Sequence, residues 1–246
     1  MILLTGATGN VGLPLSRLLG EARVPFRAFV RDPRRARAAL GTGLGVELAR
    51  GNLAEPATLE AALGRVEKLF LLNGDPGLEE GAIDAAARAG VRRVVKLSAL
   101  ADGLHPPPFH RRVEEKLERS GLGWTHLRPN AFMQTLLGYL PTLVSDGGVL
   151  RLPAGEGRVG WVDARDIAAE AFRALTEDGH DGRAYAVTGP EALSMANATA
   201  AISDATGRNV RYEDTAPETA REALLAAGLP IPFADFLISR ALCSIF

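Results

Sequence analysis

Cysteine is nearly absent from this sequence, with Cys243 the single one in 246 residues. One cysteine cannot form an internal disulfide, and low cysteine use is typical of a reducing compartment. Four histidines and one cysteine, scattered along the chain, give none of the ligand spacings that zinc requires. We therefore expect neither a disulfide nor a metal site.

Long apolar runs and an excess of charge of one sign are also missing. No apolar stretch approaches the roughly 18 to 20 residues that span a bilayer, and no charged-then-apolar leader precedes the first predicted strand. The formal net charge is −1, and the basic residues are not interleaved with aromatic ones. These absences predict a cytoplasmic protein that binds neither a membrane nor nucleic acid.

The chain does contain enough apolar material for a sizeable core, in a pattern of alternating strands and helices. Hydrophobic residues make up 47% of the sequence, enough for the core of one large α/β domain or of one domain with a small appendage. The predicted fold class is α/β, a Rossmann-type doubly wound parallel sheet with a small C-terminal α/β lobe. We expect the sheet domain over residues 1–150, also receiving later strands, and the lobe over residues 151–246.

Three glycines spaced three apart follow the first apolar run. Gly6, Gly9 and Gly12 stand between residues 2–5 and the leucine-rich segment that begins at Leu13. Glycine lets a backbone approach a pyrophosphate, whose charge the N-terminal dipole of a helix stabilises. Gly6 is predicted to make the turn, Gly9 the close approach, and Gly12 the close packing of helix on strand. The spacing matches the dinucleotide fingerprint only loosely, and a glycine-rich turn without a ligand is the alternative.

The end of the second predicted strand indicates which nucleotide is favoured. A 2′-phosphate needs a cation at this point, whereas a ribose 2′-hydroxyl usually meets Asp or Glu. The sequence has Arg31 and Asp32 there, followed by Arg34 and Arg35. A guanidinium can pair with phosphate through two hydrogen bonds, so Arg31 favours NADP(H) as the cofactor. Two alternatives stay open: a solvated helix start that Asp32 merely caps, and NAD bound through Asp32.

Four stretches of the chain carry a family resemblance: residues 5–12 (TGATGNVG), 30–33 (VRDP), 94–99 (VVKLSA) and 110–129. Together they resemble the NmrA-like group of atypical short-chain dehydrogenases. This group includes NAD(P)H:quinone oxidoreductases, azoreductase-like proteins and redox-sensing regulators that bind NADP without turning it over. The resemblance implies NADPH-dependent reduction of a quinone or a similar small electrophile, with a non-catalytic NADP(H) sensor as the alternative.

The resemblance also implies a set of cofactor contacts. The residues that would line the pyrophosphate are Gly6, Thr8, Gly9, Asn10, Val11 and Gly12. Arg31 would meet the 2′-phosphate, and Asn52 would contact the adenine at a position where relatives carry Asp. The residues that would lie beside the nicotinamide ribose, after the fourth and fifth strands, are Leu72, Asn73, Gly74 and Ser98.

The catalytic residues are less typical of that group. Short-chain dehydrogenases that reduce ketones use a tyrosine as proton donor and a lysine four residues later. None of Tyr139, Tyr185 and Tyr212 has a lysine at that spacing. His110 lies near the position where relatives carry Lys or His facing the nicotinamide. We expect His110 to donate a proton or orient the substrate near neutral pH, and a surface histidine without a role is the alternative.

Two later segments complete the expectations. The resemblance places Asn130, Phe132 and Met133 in the substrate pocket, and core packing is the alternative for the apolar pair. The residues from Ile231 to Phe246 are mostly apolar. A helix there must bury its apolar face on its own domain or on a second subunit, so a homodimer is one of two predictions for this segment.

Overall fold

The computed structural model describes residues 1–41, 45–100, 106–134, 138, 147–229 and 231–242, and the chain forms two compact units. The first comprises Met1–Leu100, Leu104–Pro129 and Asp163–Val187, and the second comprises Ala101–Gly103, Asn130–Val162 and Thr188–Phe246. Beyond Ala101–Gly103, the chain enters the second unit at Asn130, returns to the first at Asp163 and leaves it again after Val187. The predicted boundary at residue 150 stays a prediction.

The first unit alternates strands and helices in chain order. Its elements are β1 (Ile2–Thr5), α1 (Gly12–Glu21), β2 (Phe26–Val30), α2 (Pro33–Leu40), β3 (Glu47–Arg50), α3 (Pro56–Ala62), β4 (Lys68–Leu71), α4 (Pro76–Arg88), β5 (Arg93–Leu97), α5 (Pro108–Glu118), β6 (Gly123–Pro129), α6 (Ala164–Thr176) and β9 (Arg183–Val187).

These seven strands form one parallel sheet in the order β3-β2-β1-β4-β5-β6-β9. On one side of β1, Ile2 pairs with Phe26 of β2, and on the other side it pairs with Lys68 of β4. The strand order reverses between β1 and β4, which makes the carboxyl ends of these strands the switch point where open α/β sheets bind ligands. The Rossmann-type doubly wound fold predicted from the sequence is confirmed.

Burial and capping explain why these elements form where they do. β1 and β5 are buried at every position, as expected for strands covered on both faces. Asp32 Oδ1 accepts the N–H groups of Arg34 and Arg35 at 2.9 and 3.1 Å, which starts α2. β5 departs from the apolar pattern at Lys96, a fully buried lysine.

The second unit contains two small sheets and three helices within its described ranges. Its elements are β7 (Val149–Leu152), β8 (Arg158–Val159), β10 (Leu193–Ser194), α7 (Met195–Thr206), β11 (Arg211–Asp214), α8 (Pro217–Ala226) and α9 (Ile231–Leu242). β7 pairs with β11 in parallel, and β8 pairs with β10 antiparallel. The glycines of residues 155–160 predict a loop there. This prediction is wrong for residues 158 and 159, which form β8 by pairing with β10, a strand far along the chain.

The apolar helix α9 packs on its own unit where its side chains are described. Leu237 and Ile238 are buried in one cluster with Leu224 of α8, while Ile231 is exposed. Other members of the predicted apolar face lie outside the described side chains, namely Phe233, Phe236, Leu242, Ile245 and Phe246. Of the helix predicted over residues 130–139, residues 135–137 and 139 lie outside the described residues, and Phe132 forms a strand bridge with Val162 instead. None of the helices in the described ranges is both long and apolar enough to cross a bilayer.

Candidate active site

The turn between β1 and α1 is closed by contacts within its own backbone. Gly6 has a φ of +65°, which a residue with a side chain rarely adopts, and its carbonyl oxygen accepts the N–H of Gly9 at 3.0 Å. A Cβ on Gly12 would lie 2.0 Å from that same oxygen. Gly6 therefore makes the turn, and Gly12 lets the helix begin directly against it.

The residues predicted to line the pyrophosphate differ in their exposure to solvent. The exposed ones are Gly6, Thr8, Gly9 and Asn10. Val11 and Gly12 are buried. A Cβ on Gly9 would meet one atom within 4 Å, the Gly6 carbonyl oxygen at 3.4 Å. Helix α1 begins at this open space without a side-chain cap, an arrangement that favours an anion.

Arg31 and Asp32 differ in what they contact. Arg31 is exposed, and its guanidinium has no hydrogen bond or ion pair with the part of the chain that the structure describes. The Asp32 carboxylate caps α2, which favours the interpretation of Asp32 as a cap over that of a ribose ligand. Arg50, exposed at the end of β3, pairs in register with Val30. No local pattern predicts Arg50 here, because its place depends on the strand order.

Asn52 lies in a tightly hydrogen-bonded turn after β3. Its Oδ1 accepts the N–H of Ala54 at 3.2 Å, and its backbone N–H and C=O both bond to the Thr58 hydroxyl at 3.1 Å. A carboxamide with one such bond retains its NH₂ donors and one oxygen lone pair. Asn52 therefore has hydrogen-bonding capacity for an adenine, and that contact stays a prediction.

The segment after β4 contacts both the glycine turn and the protein interior. Leu72 donates its N–H to Thr5 Oγ1 at 2.7 Å, and a Cβ on Gly6 would lie 3.0 Å from the Leu72 side chain. Asn73 donates its N–H to Glu79 Oε1 at 2.9 Å. Leu72, the first of the residues predicted to lie beside the nicotinamide ribose, therefore contacts the glycine turn.

Gly74 and Ser98, also predicted near the nicotinamide, differ in exposure. Gly74 is exposed, and a Cβ there would meet nothing within 4 Å. Ser98 is buried after β5 and donates its N–H to the Leu127 carbonyl at 2.7 Å. Its buried hydroxyl has no partner at full hydrogen-bond geometry among the described residues, but it lies close enough to Glu114 to help lower the pKa of that carboxyl. The contact of Ser98 with the nicotinamide ribose stays a prediction.

Two buried residues, Glu79 and Lys96, and the half-buried His110 form a series of polar contacts that no sequence motif predicts. Lys96 Nζ donates to Glu79 Oε2 at 2.7 Å and to the Leu97 carbonyl at 3.1 Å, and it lies 3.5 Å from His110 Nδ1. The Lys96 side chain is fully buried, and that of Glu79 is 2% exposed. The one sequence signal is a lysine inside the apolar run of β5, a placement that requires a partner.

Burial and charge shift the ionisation of these three groups. Burial raises the pKa of Glu79 against the attraction of Lys96, and burial lowers the pKa of Lys96. Burial first, and the Lys96 charge second, lower the pKa of His110 to about 4. At pH 7 His110 is therefore a neutral imidazole that can donate a hydrogen bond. This pKa disfavours an imidazolium at pH 7, and a contact of His110 with a substrate stays a prediction.

A second polar group lies between α5 and β6. Glu114 accepts hydrogen bonds from Arg128 at 3.0 and 2.8 Å, and Arg111 donates to Glu114 and Glu118. His126 Nε2 lies 3.3 Å from Glu118. Ligand-type atoms of Glu114, Glu118 and His126 come within 4.8 Å of one another. Since arginines already donate to both carboxylates, we assign this group to an ion-pair network rather than to a metal.

His126 predicts a loss of stability in mild acid. Its side chain is fully buried and stacked on Trp124, and burial lowers its pKa from 6.5 to about 4. Between these pH values the unfolded chain binds a proton that the folded chain does not. The free energy of unfolding therefore falls as the pH drops through this range, by about 3 kcal/mol for His126.

Denaturant titrations at several pH values between 7 and 4 measure this dependence on His126. His126→Phe keeps an aromatic ring but cannot titrate. In that variant we expect the free energy of unfolding to fall less steeply as the pH drops. An equally steep fall would contradict the prediction, since it would assign the pH dependence to other groups.

The three residues predicted to bind substrate lie in the second unit. Asn130 is buried, and its Oδ1 accepts the N–H of Ala131 at 2.8 Å. Phe132 forms a parallel bridge with Val162, and Met133 donates its N–H to the Val162 carbonyl at 2.9 Å. The Met133 side chain is exposed. Their contact with a substrate stays a prediction.

The two tyrosines within the described ranges have structural partners on their own units. Tyr185, on β9, lies with its hydroxyl 2.9 Å from His180 Nδ1. Tyr212, on β11, donates to Asp214 Oδ1 at 2.8 Å, and burial raises its pKa to about 12. Tyr139 lies outside the described residues. His110 therefore remains the candidate for a group that acts on substrate.

Comparisons with known proteins are consistent with this arrangement. The model of the NmrA-like family matches residues 1–242. The NAD(P)H azoreductase of Xenophilus azovorans is 42% identical over 96% of this chain and 84% of its own. The (4-alkanoyl-5-oxo-2,5-dihydrofuran-3-yl)methyl phosphate reductase of Streptomyces griseus is 40% identical over 98% and 86%. An NADPH-dependent quinone oxidoreductase from Escherichia coli, solved with NADPH, has a TM-score of 0.87 at 30% identity, covering 99% of this chain and 89% of that one.

Proposed function

Because the chain belongs to the NmrA-like family, we propose that it is an NADPH-dependent oxidoreductase that reduces a quinone or a similar small electrophile. The observation that carries the proposal is a set of groups at the carboxyl side of neighbouring strands. The glycine turn follows β1, Arg31 follows β2, and Lys96, near the end of β5, contacts His110. Folds of this type bind dinucleotides at this edge of the sheet.

The residues of the turn suit a dinucleotide that carries a 2′-phosphate. The space at Gly9 admits a pyrophosphate where a side chain would stand, and the uncapped start of α1 favours its charge. Arg31 and Arg50 offer guanidinium groups to a 2′-phosphate. The Asp32 carboxylate, next in the sequence to Arg31, accepts the N–H groups of α2 through Oδ1. These contacts favour NADPH over NADH.

When bound, NADPH supplies a hydride, and a quinone that accepts this hydride and one proton becomes a hydroquinone. His110 offers a neutral imidazole N–H to the quinone oxygen on which negative charge develops, an interaction that strengthens as the charge grows. The proton comes from solvent, because neutral His110 has no additional proton at pH 7. The Phe109 ring, 47% exposed and 4.3 Å from the His110 ring between centroids, offers an apolar face to a planar acceptor.

The test is NADPH oxidation with a panel of quinones and one azo compound, beside calorimetric titration of NADPH. We expect turnover with at least one quinone. No turnover across the panel, with NADPH binding intact, would instead support a non-catalytic NADP(H)-binding redox sensor. The absence of a tyrosine from α5 is the observation that favours this second candidate.

Arg31→Gln is expected to weaken NADPH binding about 10- to 100-fold and to leave NADH binding unchanged. The variant removes a charged hydrogen-bond donor, and such bonds contribute about 1.5 to 3 kcal/mol. Calorimetric titration with both cofactors measures the difference. Arg37→Gln is the matched control, because Arg37 is exposed in the last turn of the same helix that follows Arg31. Equal affinity of the wild-type protein for NADPH and NADH would contradict the assignment of Arg31.

The oligomeric state and the compartment also belong to the proposal. A homodimer would cover the exposed side chain of Ile231 at the start of α9, and light scattering at several protein concentrations tests it. A cytoplasmic location is supported by the single cysteine, which suits a reducing compartment.

A further inference from the structure

We infer that Lys96, held by Glu79, fixes the imidazole of His110 in one tautomer, with its proton on Nε2. His110 would then present a single oriented N–H donor. Glu79 and Lys96 are positioning residues in this scheme, because they act through His110. The use of that donor on a substrate rests on the proposed function, whereas the tautomer does not.

The first step concerns donors and acceptors around Lys96. An ammonium group has three N–H donors and no acceptor. Three acceptors surround Nζ: Glu79 Oε2 at 2.7 Å, the Leu97 carbonyl oxygen at 3.1 Å and His110 Nδ1 at 3.5 Å. Because the ammonium can only donate, the facing nitrogen of His110 must accept. A neutral imidazole that accepts at Nδ1 carries its proton on Nε2.

The second step concerns the charge of Lys96, which must keep its proton in a fully buried position. Burial disfavours that charge, while the Glu79 carboxylate opposes the effect at 2.7 Å. Burial raises the pKa of Glu79, and the Asn73 N–H, 2.9 Å from the other carboxylate oxygen, opposes that shift together with Lys96. A buried ion pair adds little net stability compared with apolar packing. Its contribution here is the orientation of the groups that it contacts.

The third step concerns what the pair connects. Through Glu79 it holds the backbone of Asn73, in the segment predicted to pass the nicotinamide ribose. Through Lys96 it holds His110 on α5. Removal of the Lys96 ammonium would leave Nδ1 without its donor, so that the two neutral tautomers would exchange. It would also remove the positive charge that, after burial, lowers the pKa of His110.

The tautomer can be measured without substrate. In ¹⁵N-labelled full-length protein, long-range ¹H–¹⁵N correlation spectra distinguish the two neutral tautomers of each histidine ring, and loss of signals in His110→Phe assigns the ring. We expect the proton of His110 on Nε2 in the wild-type protein and a mixture of tautomers in Lys96→Met. Lys68→Met is the matched control on the neighbouring strand, where Lys68 Nζ donates to the Leu175 carbonyl at 2.6 Å, and it should leave His110 unchanged.

Two spectral results would overturn the inference. A proton on Nδ1 in the wild-type protein would do so even if no variant folded. An unchanged His110 tautomer in folded Lys96→Met would do so as well, because Lys96 would then not determine it. The wild-type measurement therefore decides the inference on its own if Lys96→Met is unstable.

Turnover tests whether the fixed donor acts on a substrate. We expect Lys96→Met and Glu79→Gln to lower kcat about tenfold, with KM for NADPH unchanged within about twofold. In a His110→Phe background, Lys96→Met should cause no further loss, as expected of a residue that acts through His110. A further loss of about tenfold in that background would overturn the positioning role. A wild-type protein with the Nε2 tautomer but no turnover with any acceptor would refute the proposed reaction and still support the assigned tautomer.

Discussion

Gly12→Ala is expected to weaken NADPH binding at least about 100-fold and to lower the free energy of unfolding by about 2 to 3 kcal/mol. A Cβ at this position would lie 2.0 Å from the Gly6 carbonyl oxygen. That oxygen belongs to the backbone, so the turn and the first residues of α1 must move apart. Calorimetric titration with NADPH and denaturant titration measure the two effects separately.

Gly9→Ala separates binding from stability at the same turn. A Cβ there would meet the Gly6 carbonyl oxygen at 3.4 Å, so we expect the free energy of unfolding to change by less than about 1 kcal/mol. NADPH binding should fall about tenfold or more, because the methyl group occupies the space assigned to the pyrophosphate. Gly81→Ala, in open space on α4, is the matched control and should leave binding unchanged. Full NADPH affinity in Gly9→Ala would contradict the placement of the pyrophosphate.

His110→Phe is expected to lower kcat about 100-fold, whereas His110→Gln should keep kcat within about tenfold of the wild-type value. Phenylalanine retains a ring but removes the N–H donor. Glutamine supplies an amide N–H in place of the imidazole Nε2–H and cannot titrate. His180→Gln is the control, since His180 contacts the Tyr185 hydroxyl of the edge strand β9 and, within the described part of the chain, has no contact with Lys96. The kcat of quinone reduction at saturating NADPH is measured for the wild-type protein and the three variants.

The pH profile of kcat distinguishes a neutral donor from an imidazolium acid. Burial and the Lys96 charge lower the pKa of His110 to about 4. We therefore expect that titration of His110 causes no change in kcat between about pH 5.5 and pH 8. A step near the ordinary pKa of about 6.5 that disappears in His110→Gln would contradict the neutral donor.

Features that depend on neighbouring residues could be predicted from the sequence. Asp32 caps α2 as expected, because an N-cap requires only a short side chain two or three residues before free N–H groups. β5 runs from Arg93 to Leu97 as its apolar pattern predicts. The alternation of strands and helices was sufficient to predict the doubly wound sheet, since parallel strands need helical crossovers.

Features that depend on distant segments could not be predicted in this way. Lys96 and Glu79 lie 17 residues apart on a strand and a helix, and neither residue alone indicates the other. Arg50 stands beside the end of β2 because β3 pairs with β2. The same limit applies to the site: the glycine spacing indicates a dinucleotide, but the neutral state of His110 follows from burial and from the charge of Lys96. Such neighbours are determined by packing rather than by a local motif.

The position of β9 has a consequence for synthesis of the chain. β9 completes the sheet beside β6, although Asn130–Val162 and α6 separate them in the sequence. On the ribosome, the outer edge of β6 therefore stays without its partner until Val187 has emerged. Unpaired strand edges are where nascent chains join one another. A product that stalls before β9 is thus expected to aggregate more than one that stalls after it.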